Sequence, residues 1–266
     1  MSLIHIFGYS LALVVGIVLG LVGSGGSILT VPILVYMFNI TPVIASAYSL
    51  FVVGSSSLIG ALRNIQKKRI DYKTALIFAI PAVTTVYITR RYLIHLIPEE
   101  LFSIGNIHVS KDMGIMIFFA FIMFFSAMAM IRNKTEEVLE DSIVEQNYTL
   151  LIGQGVFVGL ISGLVGAGGG FLIIPALILL AKLPVKKAMA TSLLIIAINS
   201  LVGFSGDLQT LIIDWKFLIT FTGIAIIGIF IGMYLCNFID GKKLKKGFGW
   251  FVLLMGLYIL FIELTK

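Results

Sequence analysis

Residues 20–32 read GLVGSGGSILTVP and residues 163–175 read GLVGAGGGFLIIP, so the pattern G-x-G-G occurs twice, each time inside a strongly apolar stretch. Consecutive glycines are poor helix formers, and they let the backbone turn tightly and another group approach it closely. A helix is expected to restart directly after each break, near Ser27 and at Gly170. The first four N–H groups of a helix lack an internal acceptor and carry about half a positive charge. Two such ends brought together would bind a small anion without any Lys or Arg in the membrane. The candidate substrate-binding set is therefore Gly23, Ser24, Gly25, Gly26, Ser27 and Thr30 at the first break and Gly166, Gly168, Gly169 and Gly170 at the second. Hydroxyl and amide donors on the following segments extend it: Ser49, Thr191, Ser192 and Asn199. Pro32 and Pro175 are expected to act as structural breaks in the segments after the glycines.

The rest of the chain must place these residues in a bilayer. Of its 266 residues 59% are hydrophobic and 12% charged, about half the charged fraction of a soluble domain. Several apolar runs reach the ~20 residues a helix needs to cross a ~30 Å hydrocarbon core. The fold class is thus an all-α integral membrane protein in a cell membrane, with the lipid bilayer as its first partner. The net charge of +6 lies in short loops, where it acts as a topology signal, so nucleic acid is not an expected partner. Cys236 is the single cysteine, and His5, His95 and His108 have no ligand partner at metal spacing. No metal, cofactor or catalytic constellation is expected, and neither glycine motif continues into the Gly-Lys-Ser/Thr of a nucleotide-binding loop. The first apolar run lacks a basic start and a small-residue cleavage site and is expected to remain in the protein.

Sliding the sequence by 143 positions aligns Gly20–Lys73 with Gly163–Lys216 without a gap, and more than a third of the 54 pairs are identical. Two repeats follow: 1–131 and 147–266, joined by a hydrophilic linker at 132–146. Each divides into five segments, roughly 3–22, 27–38, 43–62, 72–96 and 112–131 in the first, and 147–165, 170–181, 185–205, 215–239 and 245–263 in the second. The short segment after each break could cross the membrane or turn back. If it crosses, 14 of the 19 Lys and Arg share one side; if it turns back, the split is 9 against 10. The positive-inside rule favours crossing, hence five plus five passes with an outside N-terminus, and an odd number of passes inverts the second repeat relative to the first.

Gly16, Gly20, Gly159, Gly163, Gly60 and Gly203 read as small-residue positions for close helix packing. Asp71 and Asp214 read as N-caps, with Tyr72 and Trp215 as interface anchors. Asp207 is the carboxylate nearest an apolar segment. It caps or anchors a helix end, or serves as a coupling group.

The paired motifs, each followed by a helix carrying TPVIASAYSLFVV or PVKKAMATSLLII, and the duplication covering most of the chain resemble the sulfite exporter TauE/SafE family of membrane permeases. The resemblance implies a location in the cytoplasmic membrane of a bacterium or archaeon and a small sulfur-containing anion, such as sulfite or a sulfonate, as substrate. The residues by themselves give a small anion held between the two breaks by a secondary transporter. A passive channel or a non-transporting membrane protein are the alternative readings, and the oligomeric state is open.

Overall fold

The computed structural model describes residues 3–22, 26–104, 107–132, 148–236, 238 and 241–265. Ten helical segments carry the described chain. In the first half these are α1 (Leu3–Val22), α2 (Ser27–Phe38), α3 (Pro42–Gln66), α4 and α5 (Lys111–Arg132). α4 runs over Tyr72–Ile88, passes through a π turn at Thr89–Leu93 and ends in a last turn at Ile94–Leu96. The second half holds α6 (Tyr148–Val165), α7 (Gly170–Leu179), α8 (Val185–Asp207), α9 (Trp215–Leu235) and α10 (Gly241–Thr265). An antiparallel hairpin, β1 (Glu100–Ile104) and β2 (Ile107–Ser110), joins α4 to α5. Six of the described helices are long and apolar enough to cross a membrane. The linker 132–146, its acidic residues and Gly23, Ser24 and Gly25 lie outside the described residues, apart from Arg132 at the end of α5.

The element starts follow local chemistry. Asp71 accepts a hydrogen bond from the Thr74 N–H at 2.9 Å, and Asp214 does the same for Phe217 at 3.0 Å, so both act as N-caps. Tyr72 and Trp215, one residue on, are exposed, as interface anchors should be. α2 and α7 end alike: Asn39 and Lys182, 143 positions apart, take left-handed backbone angles, and the next N–H returns to Leu34 and Leu177. Pro32 and Pro175 are not breaks. Each sits inside its helix, which runs on to Phe38 or Leu179. By that point the first turn is already formed, and the missing proline N–H costs one bond without ending the helix.

The packing repeats itself with the halves exchanged. Gly16 of α1 lies against Ala225 and Gly228 of α9, and the equivalent Gly159 of α6 lies against Ala82 and Thr85 of α4. Gly20 meets Gly232, and Gly163 meets Thr89. At these positions a Cβ would enter the facing helix, so close approach is what the glycines supply. α3 and α8 form the centre: two-thirds of each spanning window is buried, against 39–44% for the other four. Around them α4, α5, α6, α9 and α10 turn Ile80, Phe125, Phe157, Ile227 and Phe261 outward. An outward apolar coat of this kind suits lipid as solvent.

Replacing Gly16 with valine should destabilise the protein by about 1–3 kcal/mol through overpacking against the α9 backbone. Gly153→Ala on α6, where nothing lies within 4 Å, should be neutral or stabilising by up to about 1 kcal/mol. Thermal unfolding of the two variants in detergent checks the contrast.

Candidate functional site

The candidate site lies where α3 and α8 cross. Leu50 lies against Gly203, Gly54 against Leu201 and Gly60 against Leu193. Residue numbers rise along one helix as they fall along the other, so these equivalent helices run antiparallel. The middle of the crossing falls at Ser56 and Ser57 on α3 and at Asn199 and Ser200 on α8. All four are fully buried. The hydroxyls of Ser56, Ser57 and Ser200 and the Asn199 Oδ1 have no hydrogen-bond partner within the protein. The Asn199 Nδ2 donates to the Ser162 Oγ of α6 at 3.1 Å. Such a concentration of buried polar groups without a partner within the protein is unusual in a folded chain.

The second glycine break reaches this crossing. Gly166, Gly168 and Gly169 have φ of 76°, 65° and 69°, in the left-handed region. A Cβ on Gly168 would meet the Ser200 hydroxyl at 2.6 Å and Val53 of α3 at 3.0 Å, so glycine is required twice over. Gly166 abuts Ser46 near the start of α3. Gly169 precedes α7 and packs on Val158 and Ser162; Gly26 precedes α2 and packs on the equivalent Val15 and Leu19. Their backbones differ, since Gly26 has φ of −62° and is right-handed.

Of the remaining candidates, Ser27, Thr30 and Ser49 are buried, and the Thr30 and Ser49 hydroxyls are unpartnered. Ser192 donates to the Met189 carbonyl of its own helix. Thr191 holds the repeats together: its Oγ1 accepts from the Asp71 N–H at 3.0 Å. The mirror contact is made by Tyr48, whose hydroxyl accepts from the Asp214 N–H at 2.7 Å.

At one end of α8 lies a buried charged pair. Arg90, turned inward within the π turn of α4, and Asp207, the last residue of α8, are both 0% exposed. The guanidinium donates through Nε to the Asp207 Oδ2 at 2.7 Å, and Nη2 stands 2.5 Å from the same oxygen. Nη1 donates to the Ser46 Oγ at 2.8 Å and to the Gly163 carbonyl at 3.2 Å, and Nη2 to the Val43 carbonyl at 3.4 Å. Asp207 is therefore a buried ion-pair partner rather than an interfacial cap.

Comparison with known proteins decides the family. Residues 9–259 match the family model described as Sulfite exporter TauE/SafE. This chain belongs to the TauE/SafE family. It is 27% identical to a probable membrane transporter protein of Xylella fastidiosa over 92% of this chain and 91% of the relative. With the probable membrane transporter protein YunE of Bacillus subtilis the identity is 31%, over 78% and 79%. A probable membrane transporter protein of Methanocaldococcus jannaschii is 38% identical over 41% and 43%. No solved structure matches. The protein is thus a multi-pass membrane transporter and not an enzyme.

Within this TauE/SafE chain, sequence reasoning missed Ser57, Ser200, Ser162, Ser46 and Arg90. Ser57 and Ser200 carried a signal, being an identical pair at the 143-residue spacing. Arg90 carried none, because a basic residue near a helix end reads as a topology signal. A cavity of about 390 Å³ opens between α2, α3, α5 and α10, lined by Asn39, Thr41, Ser110, Asp112 and Glu263 among others. Its carboxylates make it a poor place for an anion.

Removing one partner of a buried ion pair strands the other charge, so Arg90→Met and Asp207→Asn should each cost about 3–5 kcal/mol. Together they install the residues that the other repeat already carries, Met233 and Asn64, and the double variant should recover most of that loss. Unfolding midpoints of the three variants in detergent form the cycle that measures this.

Proposed function

We propose that the protein is a secondary transporter of a small anion, sulfite or an organosulfonate, bound where the glycine breaks meet the crossing of α3 and α8. The carrying observation is the contact of Gly168 with Ser200, a fully buried hydroxyl without a partner, at the break from which α7 starts. Leading N–H groups of α7 supply positive potential, and those of α2 after the first break would add to it. Ser56, Ser57, Ser200 and Thr30 supply hydroxyl donors, which suit an oxyanion and need no buried cation at the centre. The family's description as a sulfite exporter supports the sulfur-anion class.

Inverted repeats are supported by the antiparallel, reciprocal contacts of α3 with α8. In a membrane that arrangement lets one half rock against the other about a central site. The two latches, Asp71 to Thr191 and Asp214 to Tyr48, join opposite ends of the α3–α8 pair and would open alternately. Each motion breaks about one hydrogen bond of net worth ~1 kcal/mol, a cost a transport cycle can meet.

In proteoliposomes, sulfite uptake should saturate and show counterflow. Ser57→Val with Ser200→Val, or Gly168→Leu, should lower it by at least tenfold in protein that retains its unfolding transition. Undiminished uptake of sulfite and the organosulfonates by folded variants would overturn the assignment of the site.

A further inference from the structure

The Arg90–Asp207 pair has features that a purely structural ion pair does not need. Asp207 ends α8, where the helix dipole disfavours a carboxylate. Its Oδ1 is buried without a hydrogen-bond partner, so half of the carboxylate is uncompensated. The pair also occurs at one end only: the equivalent residues are Asn64, which satisfies itself on the Gly60 carbonyl at 2.9 Å, and Met233. The repeat-related pair of positions therefore carries no charge at all.

The guanidinium is fixed by groups other than Asp207. Ser46 and the Gly163 carbonyl hold Nη1, and both adjoin the second glycine break: Ser46 abuts Gly166, and Gly163 lies in the last turn of α6 before it. On the other side Leu208, one residue beyond Asp207, is already exposed. Arg90 thus stands between the end of the bundle and the crossing of α3 and α8.

We propose that Arg90 is a second oxyanion site on the transport path, plugged in this state by the Asp207 carboxylate as an internal stand-in for the substrate. The inference rests on the anion reading given above. A planar guanidinium takes two oxygens of one oxyanion at once, which a lone Lys cannot do, and the ligand class is an anion with at least two such oxygens: sulfite, a sulfonate or a carboxylate. An arriving oxyanion displaces the under-satisfied Asp207, whose place at the helix end lets it turn toward the exposed loop. Arg90 remains on Ser46 and Gly163 and keeps its charge paired throughout. For a monoanion (hydrogensulfite, a sulfonate or a carboxylate) net charge in the buried layer is unchanged by the exchange, so the step avoids stranding a charge at low dielectric.

The test is binding of sulfite, methanesulfonate, acetate and chloride to the purified full-length protein, read as the concentration giving half of the maximal thermal stabilisation. Asp207→Asn, which removes the internal competitor, should lower that concentration at least tenfold for the three oxyanions and leave chloride unchanged. The gain should survive Ser200→Val, which alters the crossing, and vanish with Arg90→Met. A half-saturating concentration unchanged by Asp207→Asn, or a gain that persists in the Arg90→Met/Asp207→Asn double variant, would overturn the inference while leaving the central site standing. Absence of stabilisation by any oxyanion, in the native protein and in Asp207→Asn alike, would sink the central anion reading and this one together. Should Asp207→Asn not fold, Arg90→Lys serves in its place. It keeps the charge without the fork and should raise the half-saturating concentration for oxyanions at least tenfold relative to chloride; an unchanged value overturns the proposal.

Discussion

Hydrocarbon offers no hydrogen bonds, and each polar group left alone in it costs several kcal/mol. The structure turns on how that constraint is met at the crossing of α3 and α8. Gly54, Gly60 and Gly203 let the two helices approach closely, and the approach sets Ser56, Ser57, Asn199 and Ser200 in one buried layer. Three hydroxyls and an amide oxygen there stay unpartnered within the protein. The second glycine break, with three residues in the left-handed region, arrives at the same layer through Gly168. Shifting any of these elements would uncouple the break from the hydroxyls.

The scaffold around that layer is economical because one set of contacts is used twice. Gly16 and Gly159, Gly20 and Gly163, Asp71 and Asp214, and Asn39 and Lys182 do the same jobs in each half. Duplicated contacts hold the two halves in the same way at each end of the α3–α8 pair. Symmetry stops where chemistry begins. Gly26 and Gly169 precede equivalent helices with opposite backbone hands, and the buried Arg90–Asp207 pair has the uncharged Met233 and Asn64 at the equivalent positions. A symmetric frame with asymmetric polar groups can alternate between two states without treating the two sides alike.

Charge elsewhere obeys the solvent. Among the described residues Lys and Arg sit in loops or near helix ends, and the helices that ring α3 and α8 present large apolar side chains outward. Arg90 departs from this rule by turning inward from the π turn, an element frequent at functional positions in helices. Ser46, Val43 and Gly163 provide it with acceptors from two other helices, and Asp207 with a counter-charge. A cation so completely partnered is stable in the membrane, and any ligand that reaches it must exchange with a group already there.

Much of the fold was legible in the sequence because it depends on local rules. Apolar run length set the segments: 3–22, 27–38 and 72–96 agree with the helices observed, and the others differ by a few residues at their ends. A fixed 143-residue spacing revealed the repeat, and Asp before an aromatic marked two helix starts. Other features belong to packing alone. Pro32 and Pro175 looked like breaks, yet helix context carried the chain through them. Thr191, a ligand candidate by its place in the repeat, also accepts from Asp71, 120 positions away. Asp207 looked interfacial until Arg90, 117 positions earlier, was found beside it. Sequence by itself determined which segments are helices and which pairs of positions are equivalent, since both follow from composition and spacing along the chain. Only the tertiary structure decided which polar groups meet and which are left without a partner, because that depends on the angle at which each helix turns its side chains toward its neighbours.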